Sequence, residues 1–384
     1  MRIVALLLVV LTATACASPT VAELDGRRSG TNSPVRQLTP PGVTDVLADA
    51  RARVDENLAG RNGFTPPSRP SPAVRGGSTI AFVAADLTNG GVNTVSQGVA
   101  EAAAAIGWRV VPFDGKGSAQ GRADALNQAI ASRPAGIVLG GFDATEQAAT
   151  IKQADQNGVP VVGWHAGTEP GPIPHAGVFT NVTTDPLEVA WLAAAHAIAE
   201  SGGRAGVVVL TDSQYEIAVR KAQAMRAYVE LCSGCAVLSY EDSPIADADA
   251  RMPSLVSSLL QRNGDRLGYL LGVNGNYFGA AKSALRDAGR PAAGSPFSIA
   301  AGDGDAAEFQ RIRTGDYQAA TVAEPMLLHG WQLVDELNRA IAGRDPSGFV
   351  AKPALITKRS VPSGAVFDPQ SGYREIYRKV WGKS

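Results

Sequence analysis

The chain has 384 residues, 45% apolar and 18% charged, a globular balance that excludes a disordered or collagen-like polymer. Its formal net charge of −1 gives no general electrostatic pull on nucleic acid or anionic lipid. Three cysteines are too few for a disulfide-dense scaffold.

Residues 1–15 read as a signal peptide: Arg2 supplies a positive start, and Ile3 to Leu11 form an apolar core too short to span a bilayer. Ala13-Thr14-Ala15-Cys16 fits the small-residue pattern before a lipidated cysteine, although Ala13 stands where Leu is usual. The alternative is an ordinary cleaved leader with an incidental cysteine. The expectation is an extracytoplasmic protein, in the periplasm or at the cell exterior, tethered to the cell membrane by lipid on Cys16. No later stretch is long and apolar enough to cross a membrane. Residues 16–77 read as a tether interrupted by Pro19, Pro34, Pro40, Pro41, Pro66, Pro67, Pro70 and Pro72. Val43, Val46, Leu47, Val54 and Leu58 predict one short amphipathic helix over 43–59, expected as a loosely docked spacer.

From Ser78 the pattern changes to alternating strands and helices. Thr79 to Ala84, Trp108 to Phe113, Ala135 to Gly140 and Val159 to Trp164 read as strands. Helices are predicted between them, with one over 144–157 and a long one starting at Asp185-Pro186, Asp as N-cap and Pro in the first turn. Further strands are expected at 205–210, 235–239, 267–272, 297–302 and 318–322, with helices near 214–231, 252–263, 276–288 and 305–313. Such alternation means βαβ units and helix-covered parallel sheets. Some ten strands divide best into two α/β halves. A closed eight-stranded barrel is disfavoured because the strands overshoot it and no barrel-type phosphate loop is present.

No dinucleotide or P-loop glycine pattern, zinc-protease motif or nucleophile elbow occurs. Lys116 lies in a glycine-flanked turn of the wrong spacing for phosphate. Asp303-Gly304-Asp305 begins like a calcium loop without the rest of one. The reading is therefore a non-enzyme without cofactor or metal. Cys232 and Cys235 close a helix and enter a strand, which favours a structural disulfide over a redox pair or free thiols.

The stretches Asn157 to Val162, Gly272-Val273-Asn274, Ser283 to Gly289, Gly302-Asp303-Gly304 and Thr314 to Ala323, with the opening strand and its Asn89 loop, resemble the periplasmic sugar-binding proteins of ABC importers, of the ribose-binding type. These are relatives of the lactose-repressor ligand domain. The resemblance spans roughly 78–358. It implies two doubly wound parallel-sheet lobes, joined by a three-strand hinge and closing on ligand: 78–182 plus 325–353 as the N-terminal lobe, 183–324 plus 354–384 as the C-terminal lobe. The family's ligand contacts fall here on Asn89, Asn93, Trp164, His165, Lys221, Asn274, Asp303 and Glu324. Val92 and Ala166 replace family contacts, so aromatic stacking in the first loop and the usual Asp-Arg clamp are missing.

The resemblance implies a monomeric, lipid-anchored receptor that hands a small polar solute to an ABC permease. The solute is expected to be a sugar or polyol, with nucleosides next. The alternative is a ligand-sensing domain partnering a membrane signalling protein. A nucleic-acid-binding repressor is excluded, because a leader and tether stand where a DNA-reading domain would be.

Overall fold

The computed structural model describes residues 37–60, 64, 67, 70–73 and 76–383. The leader and Cys16 lie outside the described residues. Among these, no helix is long and apolar enough to cross a membrane.

Two six-stranded sheets organise residues 38–384, which form one unit. The first contains β1 (Thr79–Ala84), β2 (Arg109–Asp114), β3 (Ile137–Gly140), β4 (Val161–Trp164), β5 (Gly171–Ile173) and β6 (Val178–Val182), in the order β2-β1-β3-β4-β6-β5. The second contains β7 (Gly206–Thr211), β8 (Ala236–Asp242), β9 (Tyr269–Gly272), β10 (Phe297–Ala300), β11 (Ala320–Ala323) and β12 (Ala354–Thr357), in the order β12-β11-β10-β9-β7-β8. All pairings are parallel except β5/β6 and β11/β12. Strands β3, β4, β9 and β11 are buried at every residue, which is why they read as continuous apolar runs.

The helices are α1 (Val46–Leu58), α2 (Gly90–Ile106), α3 (Ala119–Ala131), α4 (Ala148–Gln156), α5 (Pro186–Glu200), α6 (Glu216–Glu230), α7 (Ala248–Asn263), α8 (Asn276–Asp287), α9 (Ala306–Thr314), α10 (Met326–Ile341) and α11 (Tyr373–Val380). Asp185 caps α5 as expected, its side chain accepting from Leu187 N at 3.0 Å, with Pro186 next. Helix α7 starts before its expected first residue and carries Pro253 inside. Cys232 and Cys235 are joined in a disulfide between α6 and β8, their Cα atoms 5.3 Å apart.

Between β1 and β12 the chain crosses between the lobes three times: between β6 and α5, between β11 and α10, and between α10 and β12; α1, before β1, lies on the second lobe, and α11, after β12, returns to the first. Two expectations need correction. The tail does not belong wholly to the second lobe. β12 pairs there with β11, but Tyr373 and Tyr377 of α11, with Trp381, pack on Trp331 and belong to the buried cluster of the first lobe. The rings of Trp331 and Trp381 stack at 5.4 Å.

Nor is the helix in the tether loosely docked. Ala50 and Val54 of α1 are buried in the second-lobe core, and Trp191 Nε1 donates to Leu38 O at 2.6 Å. Further on, Ser71 N and Ala73 N donate to Val380 O and Trp381 O, each at 3.0 Å, fastening that stretch to the first lobe.

Candidate functional site

Parallel sheets present ligand groups at the carboxyl ends of their strands, and here two such edges face each other. Between them lies a cavity of about 390 Å³, within the range of small-molecule sites. The first lobe contributes Asp86, Asn89, Val92, Trp164 and His165 to its walls; the second contributes Tyr215, Lys221, Asp249, Asn274, Asn276, Asp303 and Arg311.

At the first wall, Asn89 caps α2, its Oδ1 accepting from Gly91 N at 3.0 Å and Val92 N at 3.1 Å. Trp164 ends β4. Its indole stacks on the His165 ring at 3.9 Å and its Nε1 donates to His329 Nδ1 at 3.2 Å. His165 has φ +52°, which turns the chain sharply out of the strand.

At the second wall, Asn274 Nδ2 donates to Asp303 Oδ2 at 3.0 Å, and Asn274 Oδ1 accepts from Asn276 N at 2.9 Å. Lys221 Nζ reaches Glu324 Oε1 at 2.8 Å, while His165 Nε2 lies 3.1 Å from Glu324 Oε2. Thus Glu324, fully buried after β11, joins a lysine of one lobe to a histidine of the other.

The same environment splits the two acids. For Glu324, burial works to raise the pKa, but Lys221 and then His165 outweigh it and hold the carboxyl well below its ordinary range. For Asp303 burial dominates over His165 and Lys221, so its pKa is raised.

The lobes meet in a closed arrangement. Asp143 Oδ2, from the loop after β3, accepts Glu216 N of the opposite lobe at 2.8 Å, at the start of α6. Gly90 and Gly91 bring the start of α2 against the carboxylates of Asp305 and Asp303. A Cβ at either position would collide with those carboxylates.

Most of the sequence-predicted contacts therefore converge: Asn89, Trp164, His165, Lys221, Asn274 and Asp303 all line the cavity. Asn93 does not. It is exposed on α2, about a hundred degrees of helix rotation from the inward-facing Val92. Glu324 is not a wall residue either; it supports two wall residues from behind. Tyr215, Asp249 and Arg311 were missed, and nothing local in their segments marks them out from other helix and loop polar residues.

His165, Asp303 and Glu324 bring one ligand atom each within 4.8 Å, spacing that suits a metal ion. The Lys221 ammonium already sits on Glu324 and repels a second cation, so the donor set fits hydroxyl groups better than a metal.

The profile of the periplasmic binding protein domain family matches residues 80–345, well over half of the chain. The chain belongs to that family. It is thus a binding protein rather than an enzyme, with the family's α/β lobes. No curated protein matches it. Similar solved structures include a solute-binding protein from Agrobacterium vitis bound to α-D-tagatopyranose, with TM-score 0.65 and 19% identity, covering 75% of this chain and 97% of that one. A sugar ABC transporter protein from Yersinia enterocolitica gives TM-score 0.66 and 18% identity over 83% and 100%. A solute-binding protein from Burkholderia graminis in complex with D-arabinose gives 0.66 and 16% over 75% and 98%.

Behind the cleft of this binding protein, burial pushes His329 down to about 4. A histidine held neutral in the fold but free to protonate when unfolded loses stability as pH falls from about 6.5 towards 4, by about 1.4 kcal/mol per unit. Glu308, pushed up to about 8, and Glu336, pushed up to about 7, both by burial, act in the opposite sense. Their contributions are complete below about pH 4.3 and are lost as pH rises through 7 and 8. Comparing wild type with His329→Gln cancels those two. The wild-type advantage should shrink with that slope between pH 6 and 4 in denaturant titrations, and a pH-independent difference would contradict the burial argument.

Proposed function

We propose that the protein is the extracytoplasmic receptor of an ABC importer and captures a neutral monosaccharide between its lobes. The observation that carries this reading is the wall chemistry of the closed cleft. Asn89, Asn274 and Asp303 offer mixed donors and acceptors to hydroxyls, and Trp164, buried beneath the stacked His165 ring, backs the wall. Asp86, Asp249 and Asp303 stand against Lys221 and Arg311, and Lys221 is already paired with Glu324. Such a wall disfavours phosphates and dicarboxylates. The similar structures bound to tagatose and arabinose support the sugar class. Anchoring by lipid on Cys16 belongs to the same reading, and a lipid mass on the mature N-terminus would test it.

A thermal-shift screen of neutral pentoses, hexoses, polyols and nucleosides, with sugar phosphates alongside, tests the function. A cognate solute at 100 times its dissociation constant adds about 2.7 kcal/mol. That solute should lose roughly ten- to a hundredfold in affinity on Asp303→Ala, because its hydroxyls lose a buried acceptor. Stabilisation by phosphorylated sugars alone would overturn the reading.

A further inference from the structure

The third crossover carries a contact that lies outside the cleft. Where the chain leaves α10 and enters β12, Asn57 of α1 donates from Nδ2 to Pro353 O at 3.0 Å, and its Oδ1 accepts from Leu355 N at 2.6 Å. β12 is the outer strand of the second sheet, so among the described residues its far side has no neighbouring strand. A carbonyl at one residue and an N–H two residues on are what a parallel neighbour would engage with one backbone residue. The Asn57 carboxamide, chemically a peptide group, takes that place.

The helix presenting it is fastened to the body of the second lobe. Ala50 is fully buried there, and the Tyr228 hydroxyl donates to Asp49. Asp49 in turn holds Arg53 at 2.7 Å, with the guanidinium 5.7 Å from the Trp191 ring centroid.

We propose that α1 is a hinge brace that belongs to the binding fold rather than to the tether. By clamping Pro353 to Leu355 onto the second lobe, it takes the start of β12 out of the bending region. Rotation between the lobes is then absorbed before Pro353 and at the chain's other passages between the lobes, and the opening amplitude is restricted. Asn57, Pro353 and Leu355 are not among the ligand walls, so the brace acts whichever solute the cleft holds.

The test uses the full chain with no added solute and two readouts: hydrogen exchange over 351–357 and the radius of gyration from small-angle scattering. Asn57→Ala keeps the docked helix but frees the crossover. It should speed exchange at Leu355 at least about tenfold and enlarge the radius of gyration. Asn57→Asp keeps the acceptor for Leu355 N but sets a carboxylate oxygen against Pro353 O, and should fall between. Lys352→Ala, which removes only the surface pair with Glu188, should match wild type in both. Unchanged exchange in Asn57→Ala would overturn the clamp. Faster exchange with an unchanged radius would also overturn the brace, leaving α1 as a cover for the sheet edge.

Discussion

Glu324→Ala should cost about 3–5 kcal/mol of folding stability. The carboxylate is fully buried and lies 2.8 Å from Lys221 Nζ and 3.1 Å from His165 Nε2. Truncation leaves an ammonium that is almost fully buried without its counter-charge. The cost of that orphan exceeds any net value of the pair itself. Glu324→Gln keeps an acceptor for Lys221 and should lose less. The pH dependence follows from the direction of the shift. The folded carboxyl titrates well below its unfolded value of about 4.3. Its stabilisation is therefore complete above that value and is lost only as pH falls through the depressed folded pKa. Denaturant titrations of wild type and Glu324→Ala should differ by a constant amount from pH 5 to 8 and converge in strong acid. A difference under about 1 kcal/mol, typical of an exposed pair, would show that the triad does not hold the closed site together.

Trp164→Ala is expected to be comparably severe, at about 3–5 kcal/mol, by opening a cavity in a packed interior. The indole is 1% exposed, and its core neighbours are those of β1, β3 and α10. Its loss also removes the donor to His329 Nδ1 and the surface on which His165 stacks. Trp164→Phe separates these effects. The ring face survives while the N–H bond is lost, so its cost should be about 0.5–1.5 kcal/mol. Equal losses in the two variants would place the energy in the hydrogen bond rather than in packing.

The architecture was legible where burial on both faces left continuous apolar runs, as in Ile137–Gly140 and Val161–Trp164. β5 was not legible: Gly171-Pro172-Ile173 is too short to show any period. The C-terminal helix did carry a signal, Tyr373, Tyr377 and Trp381 recurring every four residues. Which lobe that stripe covers depends on the path of the chain after β12, which no local pattern encodes.

The site divides in the same way. Trp164, His165, Asn274 and Asp303 follow directly from strand ends, so their convergence is a consequence of the fold. Asn93 was lost through helix rotation, and Glu324 changed role because the Lys221 and His165 side chains lie between it and the cleft. Gly90 and Gly91 read only as turn residues. Their need to be glycine appears when Asp303 and Asp305 approach from the opposite lobe.

The central claim is that a sugar is held by closure of two lobes about a braced hinge. Small-angle scattering on the full chain, with and without the sugar that stabilises it most, tests this directly. The radius of gyration should fall on saturation towards that of the closed arrangement seen here. A sugar that saturates the protein and leaves the radius unchanged would contradict capture by closure.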